Sequence, residues 1–332
     1  MSVTAQTYSS VTAFSDLVPE WHALLKKSCS NHCFQTPEFL FTWWKSLGSG
    51  SLEITTFRDD SGELIGLAPL FLHEHEGAPT LRFIGCVDVA DYLDFLIHQD
   101  HQAETYQAVC EYLQSRTGVQ LKLCSLPDSS PTRRELTAFF GDHATTTTQQ
   151  DVTPLIQLPE SWDTYLESLD RKQRHEIRRK WNRLEREVAS SFSVVSDPTA
   201  TDEATDVFIT LHKSSSPGKS RFWDDHHVAF FSTLLKTFAE AGWLKLYFLT
   251  VEGKAAATML IFVYNNRYYL YNSGYDPEYL RHLSTGNTLL AYTIRDAIEQ
   301  GREVYDFLRG DESYKFRFGA IAEPVWDVAV KL

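Results

Sequence analysis

The segment from Arg281 to Asn287 reads RHLSTGN and lies where an aromatic, strand-like stretch gives way to a helical pattern. It combines a guanidinium, two hydroxyls, a glycine and an amide. One interpretation is that Ser284 or Thr285 caps the helix and Gly286 eases the turn. The other is that the first-turn amides of the helix hold a phosphate, because those amides lack intrahelical acceptors and the helix dipole favours an anion.

The composition of the first turn favours the phosphate interpretation. Asn287 stands where a capping box would place Glu, so no acidic side chain repels an anion there. The small residues 284–286 leave room for oxygens to reach the amides, and Arg281 supplies a planar donor fork. The sequence therefore predicts a phosphate site built from these residues: Arg281, Ser284, Thr285, Gly286 and Asn287.

A second chemically rich stretch, EVYDFLRGDESYKFRFG, runs from Glu303 to Gly319. It begins as a strand and continues with closely spaced charged residues, most of which we interpret as a solvated turn. Asp306 differs because it lies within the apolar strand, where a carboxylate needs a partner or a chemical role.

These motifs belong to the second of two similar halves. Each half reads as strand, acidic-glycine turn, apolar strand, polar turn and aromatic strand, with Gly62 and Gly253 in equivalent turns. We interpret this as an internal repeat of an α/β module. The first half has DYLDFLIHQDHQ where the second has RHLSTGN, so only the second copy has the phosphate-binding residues.

The domain boundary is predicted in the polar, threonine-rich stretch 141–161. Residues 1–150 form the first module, 151–190 a linker with a basic helix (about 162–188), and 191–332 the second module. Between Arg171 and Arg186 the helix carries eight Lys or Arg against two Glu. Its interpretations are a solvated amphipathic helix, or contact with an anionic acceptor, a carrier protein or an anionic membrane surface.

Composition narrows the function classes. The 332 residues, 43% of them hydrophobic, suit two domains, and the net charge of −13 argues against broad nucleic-acid binding. No signal peptide is evident, and the longest apolar run, Ala255–Tyr264, is about half a bilayer crossing. Five cysteines without a CxxC pair predict buried thiols in a reducing cytoplasm and no metal site.

Three motifs that mark nucleotide binding or a catalytic nucleophile are absent from the sequence. PGKS at Pro217–Ser220 ends like a P-loop, but Lys213 stands where the first glycine is required. Neither a GxSxG elbow nor a GxGxxG turn after a strand occurs. These absences disfavour a P-loop enzyme, a serine hydrolase and a dinucleotide-binding domain.

Motifs across nearly the whole chain resemble the GNAT acyltransferase superfamily, and more closely its CelD-like branch, which is related to Fem-type aminoacyl transferases. They are FQTPEFLFTWWKSLG, GELIGLAPL, RKQRHEIRRKWNRLE, RHLSTGN and DFLRGDESYKFRFG. The resemblance implies an α/β fold of tandem GNAT-like modules, each a mixed, mostly antiparallel sheet flanked by helices. In the superfamily's pyrophosphate loop, Arg281 and Gly286 fit the pattern, and Ser284 replaces the first glycine.

The implied reaction is attack by an amine on a thioester. The base would be Asp306 or Glu312, and Tyr314 would protonate the leaving thiolate. Arg309 and Lys315 would hold an acidic acceptor or a second phosphate. A backbone amide of the central strand would stabilise the oxyanion, in the segment formed by Asn272, Ser273 and Gly274.

The sequence thus predicts a cytoplasmic N-acyltransferase that uses acyl-CoA or acetyl-CoA as co-substrate. Its acceptor would be a small-molecule, lipid or saccharide amine in envelope, lipid or exopolysaccharide biosynthesis. The alternative donors are an acyl carrier protein, with a single phosphate, and aminoacyl-tRNA, which the acidic charge disfavours. DNA is not an expected partner, and peripheral membrane contact remains an alternative. A binding protein that kept the fold and lost catalysis is the rival from another class.

Overall fold

The computed structural model describes residues 2–86 and 89–332. The chain forms two compact units: the first runs to Val152 and includes Glu323–Leu332, and the second is Thr153–Ala322. The sequence analysis set 151–190 apart as a linker and placed the C-terminal residues in the second module. In the structure residues 153–190 belong to the second unit, whereas the last strand joins the first unit through its strand pairing.

Up to Val152, the first unit contains five α-helices and seven strands, one of them shared with the second unit, within the described residues. The strands are β1 (Thr4–Tyr8), β2 (Ser51–Arg58), β3 (Leu64–His75), β4 (Ala78–Phe83), β5 (Leu96–Ile97), β6 (Gln120–Pro127) and the start of β7 (Thr145–Gln157). The helices are α1 (Ala13–Asp16), α2 (Val18–Lys27), α3 (Pro37–Leu47), α4 (Gln102–Gln114) and α5 (Thr132–Phe140).

The second unit contains the end of β7 and the remaining elements before the last strand. Its helices are α6 (Trp162–Ser168), α7 (Arg171–Glu187), α8 (Thr201–Ser215), α9 (Pro217–Phe222), α10 (Asp225–Glu240), α11 (Thr285–Glu299) and α12 (Ser313–Arg317). Its strands are β8 (Ser190–Val195), β9 (Leu244–Val251), β10 (Lys254–Tyr264), β11 (Arg267–Tyr275) and β12 (Val304–Asp306), and β13 (Ile321–Lys331) follows.

The two units repeat one topology, which confirms the predicted tandem α/β fold. In the first, β1 to β4 pair antiparallel in order, β4 pairs parallel with β6 after the helix α4, and β13 pairs antiparallel with β6. In the second, β8 to β11 pair antiparallel, β11 pairs parallel with β12 after α11, and β7 pairs antiparallel with β12. Gly62 and Gly253 occupy equivalent turns with φ of 86° and 77°.

Helices cover both faces of the second sheet. The helix α11 buries Leu289, Leu290 and Ile294 against β9–β11, and each such side chain stabilises the fold by about 1.5–3 kcal/mol. The helix α7 packs on α11 through the buried Ile177 and Leu184. The helices α8 and α10 contact the same sheet from its other face.

The basic segment consists of two helices in the structure. Gln173 donates its backbone N–H to the Asp170 carboxylate at 2.9 Å, so α7 begins after this N-cap and is separated from α6. The sequence analysis merged the two because their apolar residues continue one stripe. A cap that starts a second helix interrupts the backbone without interrupting that pattern.

Two cysteines differ from the expectation of free thiols. Cys86 and Cys124 are joined in a disulfide with their Cα atoms 6.1 Å apart. Cys86 follows β4 and Cys124 lies in β6, and the parallel pairing of these strands brings together residues 38 positions apart. Cys33 and Cys110 are buried thiols, as predicted, and Cys29 is exposed.

Two glycines of the second unit should respond oppositely to a methyl group. A Cβ on Gly274 would lie 2.5 Å from the backbone nitrogen of His212 in α8, whereas a Cβ on Gly286 would meet its nearest atom, in the Tyr275 ring, at 3.8 Å. We expect Gly274→Ala to lower the free energy of unfolding by about 1–3 kcal/mol. Gly286→Ala should leave it unchanged or raise it by up to about 1 kcal/mol. Urea denaturation measures both, and equal effects would contradict the α8–β11 packing.

Candidate active site

The site begins where two parallel strands part. The strand β11 pairs with β12 at Arg267, Tyr268 and Tyr269 only, whereas its pairing with β10 continues to Tyr275. The edge of β11 beyond Tyr269 therefore has no strand neighbour on the β12 side among the described residues. Such a gap exposes backbone groups in the middle of a sheet, where a ligand can reach them.

The side chains of β11 beyond this point alternate between two helices. The Asn272 amide oxygen bonds the Nε2 of His212 at 2.6 Å, and Gly274 abuts the backbone of α8. Tyr275 lies next to Gly286 of α11. Residues 272 and 274 thus face α8, and 273 and 275 face α11, as the alternation of a strand requires.

Asp306 ends β12. Its side chain is fully buried, and its carboxylate accepts the backbone N–H of Leu308 at 2.8 Å. Leu308 has a φ of 57°, so the chain turns away from β11 immediately after the strand. The Nη1 of Arg267 lies 4.0 Å from the other carboxylate oxygen. The structure thus gives Asp306 a part in ending the strand, away from the cavities described below, rather than the expected position for a base.

Lys315 fixes the loop that follows β12. Its side chain is buried, and its ammonium donates to the carbonyl oxygens of Leu308, Arg309 and Gly310 at 3.1, 2.7 and 3.0 Å. It also pairs with the Glu312 carboxylate at 2.9 Å. The three ammonium protons of Lys315 already face four protein oxygens, so no proton is left to donate to a substrate. The expected substrate-binding role of Lys315 does not fit this arrangement.

Glu312 and Arg309 also differ from their expected positions. Glu312 is exposed and held by Lys315, and neither Glu312 nor Arg309 lines a cavity of the site. Asp306, Glu312, Arg309 and Lys315 were assigned to chemistry because charged residues crowd that stretch of sequence. In the structure these charged residues lie in a turn that hydrogen bonds from Lys315 hold in place. A sequence pattern cannot distinguish such a turn from a reaction site.

A cavity of about 260 Å³ opens at the start of α11. We call it the donor cavity. It is bounded by β10, the end of β11, the loop to α11 and Tyr314. Most predicted ligand residues line it: Ser273, Gly274, Arg281, Ser284, Thr285, Gly286, Asn287 and Tyr314. Asn272 does not, because its side chain faces α8.

The N-terminus of α11 has no side-chain cap. Ser284 is left-handed with a φ of 53° and its hydroxyl makes no capping bond, so the capping interpretation is not the one realised. In the described chain, the amides of Thr285, Gly286 and Asn287 donate to no protein acceptor, and the first backbone bond runs from Thr288 to Ser284. Three amides at the positive end of a helix dipole therefore face the donor cavity.

The charges around these amides suit an anion. Arg281 lines the cavity, is exposed, and has no carboxylate partner within ion-pair distance among the residues described. Asp276 is the acidic residue of the lining, and its carboxylate pairs with Lys254 at 3.0 Å. That hydrogen bond, opposed by partial burial, lowers the pKa of Asp276, so its negative charge is permanent but compensated.

Tyr314 lies between this cavity and a second one. Burial, aided by the nearby Glu312 carboxylate, raises the pKa of its phenol, which therefore stays protonated at neutral pH. A protonated hydroxyl beside the donor cavity can donate a proton to a leaving group. Among the residues predicted for catalysis, Tyr314 is the one that the structure brings to the cavity.

The second cavity, of about 500 Å³, lies between α7, α11 and α12. We call it the basic cavity because Lys172, Lys180 and Arg317 line it against one carboxylate, Glu176. Hydrogen bonding to Arg179, with a smaller contribution from Lys180, lowers the pKa of Glu176 to about 2. The basic cavity and the donor cavity share Asn287 and Tyr314 in their linings.

On the α8 face of β11, three side chains form a chain of hydrogen bonds that the sequence analysis missed. The Nδ1 of His212 accepts from the Trp223 indole at 2.8 Å, so its Nε2 carries the proton and donates to Asn272. Burial, with the nearby charge of Lys219, lowers the pKa of His212 to about 4. The ring is therefore neutral and serves to position Asn272.

Lys219 reaches the open edge of β11. Its ammonium donates to the carbonyl oxygen of Ser273, and burial lowers its pKa to about 8, against an opposing effect of Glu312. No carboxylate lies within ion-pair distance of Lys219 in the described structure. Lys219 belongs to the PGKS stretch, which the sequence analysis considers only as a P-loop. The sequence around a single lysine in a short helix does not indicate which part of the fold that lysine contacts.

The residues that build this site match a known domain. Residues 171–316 match the family model of the acetyltransferase (GNAT) domain. This match covers most of the second unit, Thr153–Ala322. The parted parallel strands and the uncapped helix start both lie within the matched GNAT segment.

Several solved structures share the tandem fold over almost the whole chain. FemX has a TM-score of 0.68 at 11% identity, covering 99% of this chain and 97% of that chain. The C-terminal domain of a protein named lysylphosphatidylglycerol synthetase from Agrobacterium fabrum has 0.56 at 11%, covering 96% and 92%. A tandem GNAT protein from the clavulanic acid biosynthesis pathway has 0.51 at 13%, covering 100% and 99%. No curated protein sequence matches the chain.

The described residues lack two kinds of feature. They contain no group of three or more His, Cys, Asp or Glu side chains placed to hold a metal ion. Within the same residues, no helix has the length and apolar character that a membrane crossing requires.

The buried His212 predicts an acid-sensitive fold. Its pKa is about 4 in the folded protein against 6.5 for the ordinary side chain, so between these values the unfolded chain binds more protons. Stability should therefore fall as pH drops from 6.5 to 4, by up to about 3 kcal/mol from this residue. Denaturation of His212→Gln should show a shallower pH dependence, and the exposed His175→Gln should keep that of the parent. Parallel curves for parent and His212→Gln would contradict the burial of a neutral ring.

Proposed function

We propose that the second unit is an N-acyltransferase that moves an acyl group from acyl-CoA to an amine acceptor. The observation that carries the proposal is the uncapped start of α11, with Arg281, facing a cavity where β11 and β12 part. A thioester donor needs an anion site for its diphosphate and a backbone edge for its arm. The amides of residues 285–287 offer the anion site, and the edge of β11 that β12 leaves unpaired offers the backbone edge.

The donor would lie with its diphosphate on α11. Gly286 has no side chain over the amides, and its nearest non-neighbouring side chain is that of Tyr275. Met259 and Leu290 supply apolar wall for the acyl-bearing arm. This placement brings the thioester toward the open edge of β11, where Ser273 and Gly274 line the cavity.

The chemistry needs one base and one acid. The amine nitrogen bonds to the thioester carbon, the carbon–sulfur bond breaks, the amine loses a proton and the thiolate gains one. Tyr314 is the acid that lies at the cavity. Lys219 is our candidate base, because Asp306 is buried and Glu312 is held by Lys315, whereas the amine of Lys219 is neutral in part near pH 8.

The approach of the two substrates follows from the alternation of β11. The donor cavity lies on the α11 side of the strand, and Lys219 reaches the Ser273 carbonyl from α9, beside α8. The acceptor amine would meet the thioester at the edge of β11 that β12 leaves unpaired, next to Lys219 and away from the diphosphate.

For the acceptor we propose an amine of envelope, lipid or exopolysaccharide biosynthesis, modified in the cytoplasm by a protein of the CelD-like branch. The likeness in fold to a domain named for lysylphosphatidylglycerol synthesis supports a lipid acceptor. The sequence resemblance to Fem-type aminoacyl transferases makes aminoacyl-tRNA the second candidate donor. The net charge of −13 weighs against it, because tRNA binding draws on an extended basic surface.

Arg281 provides the direct test of the donor site. We expect Arg281→Ala to weaken acetyl-CoA binding about 10-fold or more, because a hydrogen bond to a charged group contributes about 1.5–3 kcal/mol. Arg295→Ala removes an arginine from the same helix that pairs with Glu299 at 2.7 Å, outside the cavity, and should bind like the parent. Isothermal titration calorimetry measures all three proteins.

Two results would contradict the proposal. Equal losses in Arg281→Ala and Arg295→Ala would show that the effect is not local to the start of α11. Absence of acetyl-CoA binding to the parent at millimolar ligand would exclude a CoA thioester as donor and leave the carrier-protein and tRNA donors to be tested.

A further inference from the structure

The part of α7 from residue 171 to 182 exposes no acidic side chain. Its exposed residues, which we call the basic face of α7, are Arg171, Lys172, His175, Arg178, Arg179 and Asn182. Glu176 is the acidic residue of this stretch, and its carboxylate is partly buried and pairs with Arg179 at 2.8 Å. Within the described chain, Arg171, Lys172 and Arg178 have no carboxylate within ion-pair distance. The basic face therefore presents uncompensated positive charge to solvent.

This charge lies at the end of α7 where the helix dipole opposes it. Arg171 and Lys172 occupy the first turn, which contains no acidic side chain, whereas Glu185 and Glu187 lie near the end of the helix. A helix dipole favours acidic groups at the N-terminus and basic groups at the C-terminus. The stability of α7 itself therefore does not explain the basic face, whereas a negatively charged partner does.

Exposed apolar side chains lie beside the start of α7. Phe316 in α12 and Ile321 in β13 are 40% and 73% exposed. Gly319 lies between them in sequence, and a Cβ on it would come within 2.8 Å of Leu169, which directly precedes the N-cap of α7. The segment that carries the two apolar side chains is thus packed against the end of α7 that carries the basic face.

We propose that the basic face of α7, together with Phe316 and Ile321, binds the surface of a membrane that contains anionic phospholipids. Such a surface presents negative charge above a layer of apolar chains, and peripheral proteins bind it through basic residues combined with apolar side chains. A nucleic acid matches the charge equally well. It does not account for the aliphatic Ile321, the more exposed of the two apolar side chains.

The charge of the whole chain gives this contact one orientation. Because the net charge is −13, an anionic surface repels the protein except where the basic face meets it. A transferase bound in this way reaches an amine that a lipid presents at the bilayer surface, without extracting the lipid. This purpose rests on the lipid acceptor of the proposed function, whereas the binding of the membrane does not.

Flotation with large unilamellar vesicles measures the binding. Vesicles of phosphatidylcholine with about 30% phosphatidylglycerol should bind the parent protein, and vesicles of phosphatidylcholine alone should bind it about 10-fold or more weakly. About 0.5 M NaCl should release the bound protein, because salt screens the attraction between the basic face and the lipid headgroups.

The triple variant Arg171→Gln, Lys172→Gln, Arg178→Gln tests the basic face. It should bind the anionic vesicles about 100-fold more weakly, since each basic residue near an anionic surface strengthens binding about 5-fold. Its melting temperature should equal or exceed that of the parent, because cations near a helix N-terminus are removed. A loss of binding in this variant is therefore not a loss of fold.

A matched control removes the same charge from other helices. Lys213, Arg221 and Lys236 are exposed on α8, α9 and α10, and none of them has a carboxylate within ion-pair distance in the described structure. Their triple glutamine variant should bind the vesicles like the parent.

Ile321→Ser tests the apolar contribution. It should weaken binding to the anionic vesicles about 5-fold or more, because less apolar surface leaves water on binding. The dependence of binding on salt should stay that of the parent, since an apolar contact is not screened.

Three vesicle results would overturn the proposal: equal binding of the parent to both vesicle types, binding to neither, and equal losses in the two triple variants. Poly-L-glutamate and bulk tRNA probe the other negatively charged partners. If one of them binds the parent but not the Arg171, Lys172, Arg178 variant, and the vesicles do not bind, the basic face serves an acidic protein or an RNA instead.

Titration of the parent with acetyl-CoA tests the proposed function separately. Binding of acetyl-CoA without binding of vesicles refutes the membrane contact alone. Binding of vesicles without binding of acetyl-CoA refutes the proposed donor and leaves the membrane contact in place.

Discussion

The early end of the β11–β12 pairing is the constraint on which the site depends. Three residue pairs join the strands, and then the buried Asp306 carboxylate binds the Leu308 amide and the chain turns away. Lys315 holds the next three carbonyl groups. Two buried polar side chains, each hydrogen-bonded to backbone atoms, thus keep open a gap that further pairing would otherwise close.

The helices on the two sides of the gap contribute different groups to the site. On one side α11 presents its uncapped amides and Arg281, and the acidic Asp276 is compensated by Lys254. On the other side α8 and α9 bring His212 and Lys219 to the same strand. Gly274 permits the close approach of α8, and Gly286 leaves the amides of α11 uncovered. The two glycines therefore serve opposite purposes, one for packing and one for access.

The repeat and the donor loop could be predicted because their signals are local. Strand alternation and equivalent turn glycines reveal the two modules, and the residues between Arg281 and Asn287 show their chemistry in sequence order. The pairing of β7 with β12 and of β13 with β6 could not be predicted, because the paired strands lie far apart along the chain. Strand order depends on tertiary pairing, which no local pattern records.

The roles within Glu303–Gly319 could not be predicted for a related reason. A carboxylate in an apolar strand signals a need for a partner, and in this chain the Leu308 amide bonds that of Asp306, with Arg267 nearby. Lys315 is buried among carbonyl oxygens of its own loop, a tertiary position that the charged sequence does not reveal. His212 and Lys219 were missed because single residues in α8 and α9 acquire meaning only when those helices meet β11.

A structure of the protein with bound coenzyme A tests the central claim most directly. The account predicts diphosphate oxygens within hydrogen-bond distance of the amide nitrogens of Thr285, Gly286 and Asn287, with the thiol end at the open edge of β11. Coenzyme A bound elsewhere, or an α11 whose first amides remain without a ligand in the complex, would contradict it.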